Sequence, residues 1–216
     1  LATRFMAVAV KDVAVEASPL WMQCELFRLG SKSINNIVDL TNYIMLLTGQ
    51  PVHAYDYDKL HGHKLAVRLA REGETLSLLN GKSYTLTSDD IVIIDGQGPV
   101  GLAGIMGGAN SEVSTTTQNI VLEVANFDMY TIRKSSMRHG VFTDALTRFN
   151  KGQSSLQQPF VIDRLLRSTL EVTSGTQASD VYDVSGELAM PAPVTVSVDF
   201  INTRLGLGLD AHQVSS

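Results

Sequence analysis

The sequence predicts an α+β fold, with strands grouped in its middle and helices on either side. Three observations carry this. Between about residues 64 and 125, short alternating apolar runs follow one another with Gly, Asn and Asp between them, the pattern of antiparallel strands. Apolar residues at helical spacing lie before and after that stretch. Nowhere do strand and helix signals alternate one for one, as a regular βαβ chain would require.

Taken in order, RFMAVAV near the start reads as a strand. Ser18-Pro19 before LWMQCELFRLG predicts a helix with Ser18 as N-cap, Pro19 at the first helical position and Gly30 as its stop. Ser33 is the expected cap of a second helix. Its Ile34, Ile37, Val38, Ile44 and Met45 share one face, and Gly49 with Pro51 ends it. LAVRLA, ETLSLLN and SYTLT are short strands, and Asn80-Gly81 between the last two predicts a hairpin. IVIID, PVGLAGIM and NIVLEV follow as further strands, the first turning into the second at Asp95-Gly96. Asp128 caps a helix through MYTIRKSSMRH that stops at Gly140. Ser154 or Ser155 opens the longest helix, with Pro159 in its first turn and Gly175 at its end. SGELAMPAP reads as a linker, and VTVSVDFINTRLGLGL after it carries a new strand-and-helix signal. There is no internal repeat.

Composition narrows the class. With 216 residues, 44% hydrophobic and 18% charged, the chain is an ordinary globular one, holding one large domain or one domain and a fragment. Its first residue leads straight into a strand and its last follows a fresh helix signal, so an excised piece is expected. A single cysteine, Cys24, rules out an internal disulfide and makes the reducing cytoplasm the expected compartment. No apolar run reaches the ~18 residues of a membrane span. The formal net charge of −5 is opposite to that of a stand-alone nucleic-acid binder.

Gly96-Gln97-Gly98-Pro99-Val100-Gly101 matches the G-x-G-x-x-G of dinucleotide folds, and Glu123 lies about 20 residues on. The third glycine should open a helix, but LAGIMGGAN follows. Gly104, Gly107 and Gly108 there would cost a helix about 3 kcal/mol relative to alanine. A hairpin with exposed glycine backbone is expected instead. His61-Gly62-His63 has no third ligand nearby, so no metal site is expected. Cys24 falls on an apolar helix face, and no residue stands out as a covalent nucleophile.

Glu123 is the unusual charge. Both faces of Ile120–Ala125 look apolar, so its carboxylate must either reach solvent or have dedicated donors. An edge-strand glutamate paired with an arginine would satisfy the same pattern. His53 in a Pro-containing turn reads as a structural hydrogen-bonder or a catalyst. Thr143-Asp144 reads as a helix cap or part of a site, and Gly104 and Gly107 signal tight backbone geometry.

Thr41–Asp56 (TNYIMLLTGQPVHAYD), Glu123 inside NIVLEVANF and Thr143–Ala145 inside RHGVFTDA together resemble the editing module of the bacterial phenylalanyl-tRNA synthetase β subunit. The resemblance runs from about Arg4 to Ser185. It implies a three-layer domain, residues 1–187, with its site at the junction of two halves, and a linker with the truncated start of the next module over 188–216. The implied activity is hydrolysis of tyrosine wrongly esterified to tRNA(Phe), with Glu123 accepting a hydrogen bond from the tyrosine hydroxyl. By the same resemblance His53 and Thr143 stand at the scissile ester, and Ala145 lines the pocket. The backbones of Gly104 and Gly107 leave room for the aminoacyl group, and Thr41 and Asn42 sit near the terminal adenosine. Lys32 stands where the family commonly has arginine, which keeps the charge but loses the planar fork. Asn126, Leu146-Thr147 and Asn150-Lys151 also depart from the family pattern. Editing implies no cofactor. ATP and magnesium belong to the parent's aminoacylation, outside this stretch, and the implied partners are tRNA(Phe) and the synthetase α subunit in a heterotetramer. The competing class is a non-catalytic scaffold holding tRNA and subunits, in which those pocket residues would be eroded.

Overall fold

The computed structural model describes residues 1–188 and 190–216. The chain opens with strand β1 (Ala2–Lys11) and helix α1 (Leu20–Arg28). Helix α1 starts later than Ser18 predicts, because the Ser18 hydroxyl donates to the buried carboxylate of Asp39 and Pro19 holds the N-terminal position without a side-chain cap. Ser33 is diverted in the same way. Its hydroxyl also donates to Asp39, and helix α2 (Asn36–Thr48) is capped by Asn35, whose side chain accepts from the amides of Ile37 and Val38. Ile34 therefore lies outside the helix and is exposed, while its amide is a third donor to Asp39. Gly49 ends α2 in the left-handed region, as expected.

Strand β2 (Val52–Asp56) follows where only a turn was expected. Then come β3 (Ala66–Leu69), β4 (Thr75–Ser77) and β5 (Ser83–Thr85), the last two forming the hairpin predicted at Asn80-Gly81. β6 (Ile91–Ile94) turns into β7 (Pro99–Leu102) through Asp95, whose carboxylate accepts from the amides of Gln97 and Gly98. β7 pairs with β8 (Met106–Gly107) through a turn with Gly104 at φ 68°. The glycine-rich stretch is thus a hairpin, and Gly101 opens no helix. β9 (Ile120–Phe127) leads into α3 (Met129–His139), capped by Asp128 and stopped by Gly140 as predicted.

Helix α4 (Asp144–Phe149) has Thr143 as its N-cap. Helix α5 (Gln158–Thr173) starts beyond both serines expected to open it. Ser155 is engaged elsewhere, bonding the hydroxyl of Thr3 and the side chain of Asn126. Short strands β10 (Thr176–Gln177) and β11 (Tyr182–Ser185) then pair with β1. Beyond them the strand part of the signal expected in VTVSVDFINTRLGLGL is irregular, since no described residue pairs with it. The chain finishes with α6 (Val198–Leu205) and α7 (Ala211–Ser215), neither of which buries a residue.

The architecture is α+β. One antiparallel sheet runs β10-β1-β9-β2 with β11 also on β1, and a second runs β3-β6-β7-β8. All eight residues of β9 are buried, because the strand is covered on both faces. Ile120, Leu122 and Val124 join Ile37, Leu40 and Ile44 of α2 and Val161, Ile162 and Leu165 of α5 in one core. Val121, Ala125 and Phe127 join Ile93, Val100 and Leu102 of the second sheet, with Ile132 and Phe149 from α3 and α4, in the other. Glu123 falls in the same i, i+2 series as Val121, Ala125 and Phe127, so its carboxylate belongs between the sheets.

Candidate functional site

Between the sheets lies a cleft of about 480 Å³ whose lining includes Glu123, His53 and Tyr55 from the first sheet and Gly101 and Gly107 from the second. Pairing register decides which side chains meet there. In the β2–β9 ladder His53 stands opposite Glu123 and Tyr55 opposite Val121, so His53, Tyr55 and Glu123 share one face. The Tyr55 hydroxyl donates to Glu123 Oε2 at 2.5 Å, and both residues are buried. The rings of His53 and Tyr55 meet edge to face with centroids 4.5 Å apart. Glu123 is therefore no edge-strand residue paired with an arginine. It lies on an interior strand, and its partner is a phenol.

Burial sets the electrostatics. Loss of solvation lifts the Glu123 carboxyl to about 7 even though the Tyr55 hydrogen bond pulls it down. The same cause lowers the His53 imidazole to about 4, and burial beside Glu123 raises the Tyr55 phenol well above its ordinary value. At neutral pH His53 is uncharged and Tyr55 keeps its proton.

The glycines expected at the site play different parts. A Cβ on Gly107 would lie 2.7 Å from His53 Cε1 and Nε2, so glycine there makes room for the imidazole. A Cβ on Gly104 would instead meet Ile132 Cδ1 at 2.5 Å, with φ at 68°. Gly104 lines the cleft through its backbone, but its missing side chain is required by the turn and the core. Thr143 and Ala145 line the cleft from the start of α4. The Thr143 hydroxyl donates to the Ile105 carbonyl at 2.8 Å and accepts from the Leu146 amide, so its proton is already committed. Thr41 and Asn42 line the α2 side, and the Thr41 hydroxyl donates to the Val38 carbonyl.

Lys32 is exposed and is not a lining residue, although Ile34 and Asn35 just after it are. Asn126 points to the other face of β9, where its amide donates to the Gln153 carbonyl at 2.8 Å, so this departure from the family pattern lies away from the cleft. Cys24 is exposed rather than covered. Among the described residues no cluster of three His, Cys, Asp or Glu could hold a metal ion, and no helix is long and apolar enough to cross a membrane. Sequence reasoning missed Tyr55. Its signal was the two-residue spacing from His53, which puts both on one face once the segment is known to be a strand.

The two shifted groups make opposite demands on stability. Between pH 4.5 and about 7 the folded protein holds a proton on Glu123 that the unfolded chain has released, so this group lowers stability as pH rises. Between pH 6.5 and about 4 the unfolded chain protonates His53 and the fold refuses to, so this group lowers stability as pH falls. In their shared window the contributions oppose each other. Glu123→Gln is expected to leave a stability that rises with pH there, and His53→Asn one that falls. Urea unfolding at stepped pH measures this, and identical profiles for both variants and the parent would contradict the burial assigned to them.

A family profile described as the B3/4 domain matches residues 1–174. The phenylalanine–tRNA ligase beta subunit of Halalkalibacterium halodurans is 41% identical over 211 residues, covering 97% of this chain and 26% of that protein. The protein of the same name from Lactobacillus acidophilus is 42% identical over 217 residues, covering 99% of this chain and 27% of its own length. The chain thus spans about a quarter of these relatives. A crystal structure of an N-terminal fragment of the phenylalanyl-tRNA synthetase beta subunit from Pyrococcus horikoshii aligns with 98% of this chain and 58% of its own, at 14% identity and a TM-score of 0.47. By the profile match over residues 1–174, the chain belongs to the B3/4 domain family.

Proposed function

We propose that this domain is the editing module of a phenylalanine–tRNA ligase beta subunit and hydrolyses the ester of tyrosine wrongly attached to tRNA(Phe). The observation that carries the reading is the phenol on Glu123: the carboxylate facing the cleft already holds a tyrosine hydroxyl, that of Tyr55, at 2.5 Å. A site that satisfies a phenol in apolar surroundings selects against phenylalanine, which would leave the carboxylate desolvated and unpaired at a penalty of about 1–3 kcal/mol. The names of the relatives supply the reaction's setting.

Charge supports the aminoacyl end of the substrate as occupant. Glu112, Glu123 and Asp144 line the cleft, and among the described residues no lysine or arginine does. Such a lining favours the α-ammonium of an aminoacyl ester over a phosphate. In this reading the tyrosyl group lies along Gly107 toward Glu123, with Thr41 and Asn42 near the terminal adenosine. Neutral His53 orients the attacking water. The water oxygen bonds to the ester carbonyl carbon and the bond from that carbon to the ribose oxygen breaks; one water proton goes to the ribose oxygen and the other to solvent, which releases the tyrosine carboxylate. Thr143 and Ala145 form the wall against the ester, Thr143 acting through the fixed start of α4. Lys32, outside the cleft, meets the tRNA.

Residues 1–187 form the editing unit, and 188–216 lead into the parent's next module. Phosphate contacts come from the rest of the parent, as an acidic chain requires. ATP and magnesium serve aminoacylation elsewhere in a heterotetramer with the α subunit, in the cytoplasm. The test is deacylation of tyrosyl-tRNA(Phe) without ATP, by the intact ligase and by this chain. Selective release of tyrosine by the intact ligase supports the reading. Absence of release would leave the domain as a scaffold that joins subunits and tRNA.

A further inference from the structure

Glu123 has two oxygens, and the protein uses one. Oε2 takes the Tyr55 hydroxyl, whereas Oε1 makes no hydrogen bond among the described residues and is not among the sealed, unpartnered polar atoms. Tyr55 borders the cleft but is closely packed. It is 1% exposed, edge to face with His53, and packed in the inter-sheet core. A Cβ on Gly101 would touch its hydroxyl oxygen at 3.8 Å, an ordinary contact. These contacts hold the phenol on Glu123.

We propose that Tyr55 is a positioning residue for selection: by occupying Oε2 it orients Glu123, favours its charged form and leaves Oε1 for the hydroxyl of a substrate phenol. This rests on the reading of the cleft as a selector of tyrosyl esters. The physical need is plain. A carboxylate in an apolar layer without a donor takes up a proton, and a neutral acid loses little when phenylalanine leaves it unpaired. Selection would then fade.

The groups around Glu123 leave Tyr55 as the donor that tunes it. From β2 it faces His53, uncharged at neutral pH, and Tyr55. From β1 it faces Ala7, and from the second sheet the lining side is apolar through Ile93 and Gly101. The other titratable lining groups, Glu112 and Asp144, are acids whose negative charge would favour protonation of Glu123.

The experiment compares the intact ligase with its Tyr55→Phe variant. The ratio of kcat/KM for tyrosyl-tRNA(Phe) to that for phenylalanyl-tRNA(Phe) is measured from about pH 6 to about pH 9. The expected ratio at neutral pH falls about tenfold or more, the loss of one charge-assisted hydrogen bond. The pH at which selectivity sets in moves upward, so that alkali partly restores it. In a Glu123→Gln background the same substitution has no further effect on the ratio. A mere packing role would move none of these. An unchanged ratio and pH profile in an active, selective ligase overturns the inference and leaves the editing reading standing. A variant that cleaves tyrosyl-tRNA faster or more selectively also overturns it, marking Tyr55 as a competitor of the substrate. A parent ligase that releases no tyrosine overturns both.

Discussion

Gly107→Ala is expected to lower tyrosyl-ester cleavage about 100-fold while barely changing the melting temperature. The backbone at Gly107 is one that alanine adopts freely, so little strain enters. The new methyl would lie 2.7 Å from two atoms of the His53 ring and 3.3 Å from Leu79 Cδ1, so the ring must move. Displacement of a water-orienting group by about 1 Å costs on the order of 100-fold in rate. Gly104→Ala is the contrasting case. Its φ of 68° and the 2.5 Å approach to Ile132 Cδ1 predict a loss of about 2–5 kcal/mol in stability. That corresponds to a drop on the order of 10 °C in melting temperature. Calorimetry and deacylation on both variants separate the two roles. Equal melting temperatures, or full activity of Gly107→Ala, would contradict the assignment of one glycine to the imidazole and the other to the turn.

Glu123→Gln is expected to reduce the preference for tyrosyl over phenylalanyl ester about 10- to 100-fold, the worth of a hydrogen bond to a charged acceptor. Glutamine keeps the volume and still offers an oxygen to Tyr55, so the fold should persist. Glu123→Ala is a poorer probe, because it strips the buried Tyr55 hydroxyl of its acceptor. Competition between tyrosyl-tRNA(Phe) and phenylalanyl-tRNA(Phe) in one reaction reads the preference directly. A glutamine variant with the parent's preference would remove the carboxylate from selection.

Signals contained within a few residues were legible. The Asn80-Gly81 hairpin, the turn at Asp95, the Asp128 cap with its Gly140 stop and the glycine-rich hairpin in place of a dinucleotide helix all follow from local backbone chemistry. The serines at 18, 33 and 155 show where such reasoning fails. Each has the chemistry of a cap, but a distant acceptor or donor takes it: Asp39 for the first two, Thr3 and Asn126 for the third. Strand β2 was illegible because VHAYD gains its strand character from lying beside β9.

What the sequence by itself determined is the α+β class, the order of most elements and an anomalous carboxylate in an apolar strand. Its answer to that anomaly had to come from elsewhere in the chain. Tyr55 is 68 positions from Glu123, and only the antiparallel register of β2 on β9 brings the phenol to the acid and aligns His53 with it. Local propensity reaches across a turn or a cap. The protonation and orientation of Glu123 depend on burial between two sheets, and tertiary packing alone decides that.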